Sequence, residues 1–128
     1  MTQMNPIGWI EIPVTDLDRA EKFYHDYFGF ECARQPEMNG HTMSWFPMYM
    51  ESYGAATTLI KGPNYTPSHE GPLVYFTAPS QGVNASVAKA KEQGITVLMP
   101  TMSIGEHGFF AILEDSEGNR IAIHSMEE

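Results

Sequence analysis

The spacing of hydrophobic positions along the chain changes twice, in the same way each time. Residues 7–14 are rich in β-branched and apolar side chains and stop at Thr15-Asp16, which predicts a strand. The period then switches. Leu17, Ala20, Tyr24, Tyr27 and Phe28 recur on one helical face while Asp18, Glu21, Lys22 and Asp26 fall elsewhere, which predicts a helix. Thr15 supplies a capping hydroxyl, Asp16 and Asp18 suit the positive end of the helix dipole, and Gly29 supplies a left-handed terminator. Three extended pieces follow, at 30–35, 42–48 and 55–60, with Met38-Asn39-Gly40 as the hairpin turn between the first two.

Residues 62–70, which include Gly62, Pro63 and Pro67, read as a linker, after which the pattern restarts. Residues 73–78 predict a strand. Residues 83–93 predict a helix with Val83, Val87 and Ala90 on its apolar side, ended by Gly94. Strands are predicted at 95–99, 109–114 and 120–124, with a turn over 115–119. The two halves superpose at an offset of 64: Trp9 onto Leu73, Gly54 onto Gly118, Thr58 onto Ala122. The expected architecture is α+β: one domain over residues 1–128, built from tandem βαβββ modules at 5–61 and 71–125. One such unit cannot bury an open sheet alone, and two together form a curled mixed sheet around a cleft.

Composition narrows the partners. Sixteen acidic and seven basic residues give a formal charge of -9, which repels phosphate backbones and anionic lipid and leaves cationic or neutral molecules as guests. Nucleic acid and membrane are therefore not expected partners. Cys32 is the only cysteine, so neither an intrachain disulfide nor a cysteine-rich zinc site can form. The start, Met1 to Pro6, carries no signal-peptide pattern, and the expected location is cytoplasmic.

Strand alternation sorts the cleft side chains. Ile10, Ile12 and Val14 turn toward the first helix. Trp9, Glu11, Thr58, Ile60, Leu73, Tyr75, Thr77, Arg120, Ala122 and His124 turn toward the cleft. Glu11 interrupts an apolar strand. It reads either as a general base or ligand anchor, or as a structural carboxylate paired with Arg120 or His124. His124 reads as its acid-base or metal-binding partner, or as a hydrogen-bonded structural histidine. Trp9 and Tyr75 either stack on a planar or cationic guest or simply fill the cleft. The Met- and aromatic-rich stretch 45–53 reads as core, pocket wall or dimer surface. His107 sits in a glycine-flanked loop, His25, His41 and His69 show no ligand spacing, and no phosphate loop or nucleophilic triad is present.

Together the opening stretch from Trp9 to Tyr24, the Phe28-Gly29-Phe30 junction and the ending Glu114-Asp115-Ser116-Glu117-Gly118-Asn119-Arg120-Ile121 resemble the vicinal oxygen chelate superfamily of glyoxalases, bleomycin resistance proteins and extradiol dioxygenases. The resemblance implies the glyoxalase-like fold, a small organic ligand and a homodimer. In metal-using members four ligands come from the first and last strands of each module, and the matching positions here are Trp9, Thr58, Leu73 and Ala122. An indole, two hydrocarbon side chains and one hydroxyl do not make a divalent-metal site, so no metal cofactor is expected at that place. The expected function is metal-free binding of a small organic molecule, with Trp9, Glu11, Thr58, Leu73, Tyr75, Ala122 and His124 as ligand-binding residues. The alternative is a lyase, isomerase or dioxygenase with Glu11 and His124 as catalytic residues, using a relocated divalent metal or none. A third reading is a partner-binding module with a vestigial cleft.

Overall fold

A computed structural model of the chain describes residues 5–128. Met1 to Met4, where the absence of a signal-peptide pattern was in part read, lie outside the described residues. The first half runs β1 (Trp9–Pro13), α1 (Leu17–Phe28), β2 (Ala33–Arg34), β3 (Thr42–Trp45) and β4 (Ala56–Lys61). The second runs β5 (Val74–Thr77), α2 (Val83–Glu92), β6 (Val97–Ser103), β7 (Phe109–Glu114) and β8 (Arg120–Ser125). They form two separate four-stranded mixed sheets, ordered β1-β4-β3-β2 and β5-β8-β7-β6, rather than one continuous ladder.

The repeat is visible in the register. Glu11 pairs with Thr58 and Tyr75 with Ala122 across parallel ladders, each pair 47 positions apart. At the offset of 64, Glu11 therefore matches Tyr75, and Thr58 matches Ala122.

Local chemistry explains the differences from the expected elements. β2 shrinks to two residues because Phe30, expected in it, packs instead on Phe28 and Phe46 with ring centroids 5.1 and 4.8 Å away. β6 continues past Pro100 to Ser103. Proline is tolerated there because β6 is an edge strand whose register shifts on either side of Met99. The Asn39-Gly40 turn forms as expected, with both residues at positive φ (54° and 80°) and Met38 and His41 exchanging backbone hydrogen bonds of 2.9 Å. Gly29 ends α1 in the left-handed conformation at φ 81°.

The N-terminus of α1 is built differently from the sequence expectation. Asp16, not Thr15, is the cap, and its carboxylate accepts from the Arg19 amide at 3.0 Å. The Thr15 amide instead donates to Glu117, which reaches over from the β7–β8 turn.

The core lies between the helices and the sheets and crosses the repeat boundary. Ile12, Tyr24, Tyr27, Leu59, Phe76, Val87, Leu113 and Ile123 belong to one buried cluster. Tyr24 is wholly buried, and its hydroxyl donates to Asp115 at 2.7 Å. Tyr27, on the same helix, donates to the Ser86 carbonyl of α2 at 2.8 Å. Asn119 ties the halves again by donating to the Pro13 carbonyl at the end of β1 (2.8 Å).

Candidate functional site

β1 and β5 are the terminal strands of their sheets and face each other across an unpaired seam. A cavity of about 640 Å³ opens there. Trp9, Ile10, Glu11, Ile12 and Pro13 form one wall, and Leu73, Val74, Tyr75, Asn119, Arg120 and Ile121 form the other. The volume suits a drug-sized molecule, and the lining is apolar with a few polar groups, as small-molecule sites are built.

The segment expected to be a linker closes one side. Thr66, Ser68 and Glu70 line the cavity, and the Tyr65 hydroxyl donates to Glu11 at 2.8 Å. That bond is the first cause of the raised Tyr65 pKa. The segment and Gly71 after it are pinned to the second half by further contacts, including the Arg120 amide, which donates to the Ser68 carbonyl at 3.3 Å. The Ser68 amide donates to Asn119 Oδ1 at 3.1 Å, His69 Nε2 meets Glu114 at 2.7 Å, and Arg120 Nη2 donates to the Gly71 carbonyl at 3.0 Å. The glycine and proline content read as a spacer; nothing local in the sequence says that its polar side chains find partners 45 to 54 residues away.

The expected site residues separate into two groups. Trp9, Glu11, Leu73 and Tyr75 line the cavity together, with Trp9 42% and Tyr75 50% exposed. Thr58, Ala122 and His124 are not among its lining residues. Thr58 and Ala122 are wholly buried, for a common reason. Trp9 of β1 and Trp45 of β3 stand on the strands flanking β4 and meet edge to face at 6.1 Å, arching over it. Tyr75 of β5 and Phe110 of β7 do the same over β8 at 5.6 Å. Each closing strand thus carries its small residue beneath an aromatic bridge.

Neither expected partner of Glu11 reaches it. Glu11 bonds to Tyr65, and no carboxylate lies within 4.0 Å of the Arg120 guanidinium among the described residues. His124 Nε2 lies 2.7 Å from the His107 carbonyl, outside the cavity. The Glu11–His124 pair of the enzyme reading is not brought together.

The four positions matched to the family's metal ligands do not fit a metal. Trp9, Leu73 and Ala122 carry no donor atom for one. The buried Thr58 hydroxyl donates to the Leu59 carbonyl at 2.9 Å, with the Ser44 carbonyl at 3.2 Å. Among the described residues, no three His, Cys, Asp or Glu side chains cluster closely enough to hold a metal ion.

A second cavity, of about 660 Å³, lies at the other end of the seam. Ile10, Val74 and Tyr75 line both cavities. Its other walls include Phe28, Phe30, Phe46 and Phe76, and no charged residue lines it. Cys32 takes no part in either, and burial pushes its thiol up to about 11, which leaves it unreactive. No helix among the described residues is long and apolar enough to cross a membrane.

Known proteins share this architecture. CFP32 of Mycobacterium bovis is 25% identical over 116 residues, covering 91% of this chain and 44% of CFP32, so the chain spans less than half of that relative. A glyoxalase/bleomycin resistance protein from Streptomyces sp. CB03234 is 26% identical, with a TM-score of 0.66 over 93% of this chain and 99% of that one. TnmS3, an antibiotic binding protein from the same organism, shares the fold at 24% identity and a TM-score of 0.66, covering 97% and 98% of the two chains. The family model for the Glyoxalase/Bleomycin resistance protein/Dioxygenase superfamily matches residues 6–123. With nearly the whole chain matched and the duplicated βαβββ topology in place, the protein belongs to that superfamily.

Proposed function

We propose that this protein binds a small, planar organic molecule in the seam cavity, without the metal of its metal-using relatives, and that it does so as a cytoplasmic homodimer. The observation that carries this reading is the placement of Trp9 and Tyr75. Two large aromatic rings stand half-exposed on opposite walls of a 640 Å³ cavity instead of packing in the core. An aromatic side chain left in water beside an open cavity forgoes burial that a stacked guest restores. The antibiotic-binding activity of TnmS3, on the same fold, supports a sequestering role. Tyr49, Met50 and Tyr53, all more than 70% exposed, support a dimer surface.

Native mass spectrometry with metal analysis on protein purified without chelators tests the reading. A dimer without stoichiometric metal, retaining or taking up an aromatic ligand and returning it chemically unchanged, is the expected result. A changed ligand would move the reading to the enzyme class. Failure of Trp9→Ala to weaken ligand uptake would remove the site.

A further inference from the structure

We propose that Arg120 is an anion-recognition residue, and that the seam cavity takes a planar aromatic molecule bearing a carboxylate or similar oxyanion. The proposal rests on the reading of that cavity as a binding site and specifies its ligand.

The chain has three arginines. Arg19 meets Glu117 at 2.6 Å, and Arg34 meets Asp18 and Glu21 at 2.8 and 2.9 Å. Arg120 is the exception: among the described residues its guanidinium has no carboxylate within 4.0 Å, in a chain with sixteen acidic residues. Glu114, its partner across the β7–β8 ladder, meets His69, and Glu11 on the opposite wall accepts from Tyr65. Glu70 also lines the cavity, and its carboxylate lies beyond 4.0 Å of the guanidinium.

Each guanidinium nitrogen is accounted for. Nη2 donates to the Gly71 carbonyl, which orients the group; Nε is buried with no acceptor; and Nη1 makes no hydrogen bond among the described residues. Nε is closed off by its surroundings and out of a guest's reach, whereas Nη1, neither bonded nor buried, is the nitrogen open to an acceptor in the cavity. A planar guanidinium matches an oxyanion better than any other side chain does. Beside it, Trp9 and Tyr75 offer flat apolar surface for the ring of the guest, and the Glu11–Tyr65 pair offers an acceptor for a hydroxyl at the far end.

The net charge of -9 argues the other way, since it attracts cations. It loses at this site. Surface charges more than roughly 8–10 Å away are screened in physiological salt. Of the charges lining the cavity, Glu11 is held by Tyr65 and Glu70 lies beyond 4.0 Å of the guanidinium, so an oxyanion placed against Arg120 meets the cation first.

Calorimetric titration with 6-hydroxy-2-naphthoate, its neutral amide, and the cationic 2-(aminomethyl)naphthalene tests this. The naphthoate is expected to bind wild-type protein about tenfold more tightly than the amide, and to lose affinity as salt is raised while the amide does not. Arg120→Gln should bring the two to within about twofold, and Arg120→Lys should keep part of the preference. Equal or tighter binding of the amide or the amine by wild type overturns the proposal, as does a preference that survives Arg120→Gln. The wild-type salt dependence decides the matter even if Arg120→Gln fails to fold. If the neutral or cationic probe binds in a Trp9-dependent way while the naphthoate does not, only the anion inference fails. If none of the three binds, the seam-cavity reading fails with it.

Discussion

Glu117 and Arg19 stand 98 residues apart in the chain and meet at 2.6 Å. The contact closes the two halves of the molecule around the start of α1. The Glu117 side chain is inaccessible to solvent, and one of its oxygens also accepts from the Thr15 and Asp16 amides, each at 2.9 Å. A carboxylate from the second module therefore occupies the anion-binding end of the first module's helix.

Arg19 and the backbone amides hold the Glu117 carboxyl down at about 2, against an ordinary value of 4.5, although burial pushes it up. A depressed carboxyl stabilises the fold above its unfolded pKa, and that stability is lost as pH falls through the folded one. Stability should therefore decline between about pH 4.5 and pH 2, by about 2 kcal/mol after allowance for the half-exposed Arg19. Glu117→Gln should cost about that much at neutral pH and flatten the acid limb, as measured by urea unfolding across the pH range.

Tyr24→Phe removes one of two donors on buried Asp115 Oδ2 among the described residues, the other being the Asn119 side-chain amide. The expected loss is about 1–3 kcal/mol with an unchanged denaturant slope, measured by equilibrium unfolding.

Glu11→Gln should lower the Tyr65 phenol toward its usual range, because the Glu11 carboxylate is the first cause of its elevation. Ultraviolet titration of the tyrosines reads this directly. No change in the most alkaline exposed tyrosine would remove the Glu11–Tyr65 contact.

Trp9→Ala opens the bridge over β4 and strips one wall of the cavity. Loss of the aromatic pair should cost about 0.5–1.5 kcal/mol of stability, while aromatic ligand binding weakens by about tenfold or more. Calorimetry and thermal melts on the same sample separate the two effects.

Added zinc, nickel or manganese should leave the melting temperature within error, because Trp9, Thr58, Leu73 and Ala122 offer no metal donor set and a bound ion would stabilise the fold by mass action. A metal-dependent rise of several degrees would overturn the metal-free reading.

Much of this molecule is written locally. The switch from strand to helix spacing at Thr15, the left-handed stop at Gly29, the Asn39-Gly40 turn and the 64-residue offset each depend on neighbours a few positions away, so periodicity alone reveals them. The same alternation placed Trp9, Glu11 and Tyr75 on one face, and the structure sets them around one cavity.

What alternation does not report is depth. Thr58, Ala122 and His124 share the cleft face with Glu11, yet the first two lie beneath the Trp9–Trp45 and Tyr75–Phe110 bridges and the third turns to the His107 carbonyl. Those outcomes depend on the rotamers of large side chains and on strands brought together from distant parts of the chain. The partners of Glu11 and Glu117 were hidden for the same reason: Tyr65 is 54 positions from one, and Arg19 is 98 from the other. The sequence determined which face each side chain takes, because face follows from backbone period. Only the tertiary structure decided which of those side chains reach the cavity and which partners they meet there, because contact depends on how the two modules close on each other.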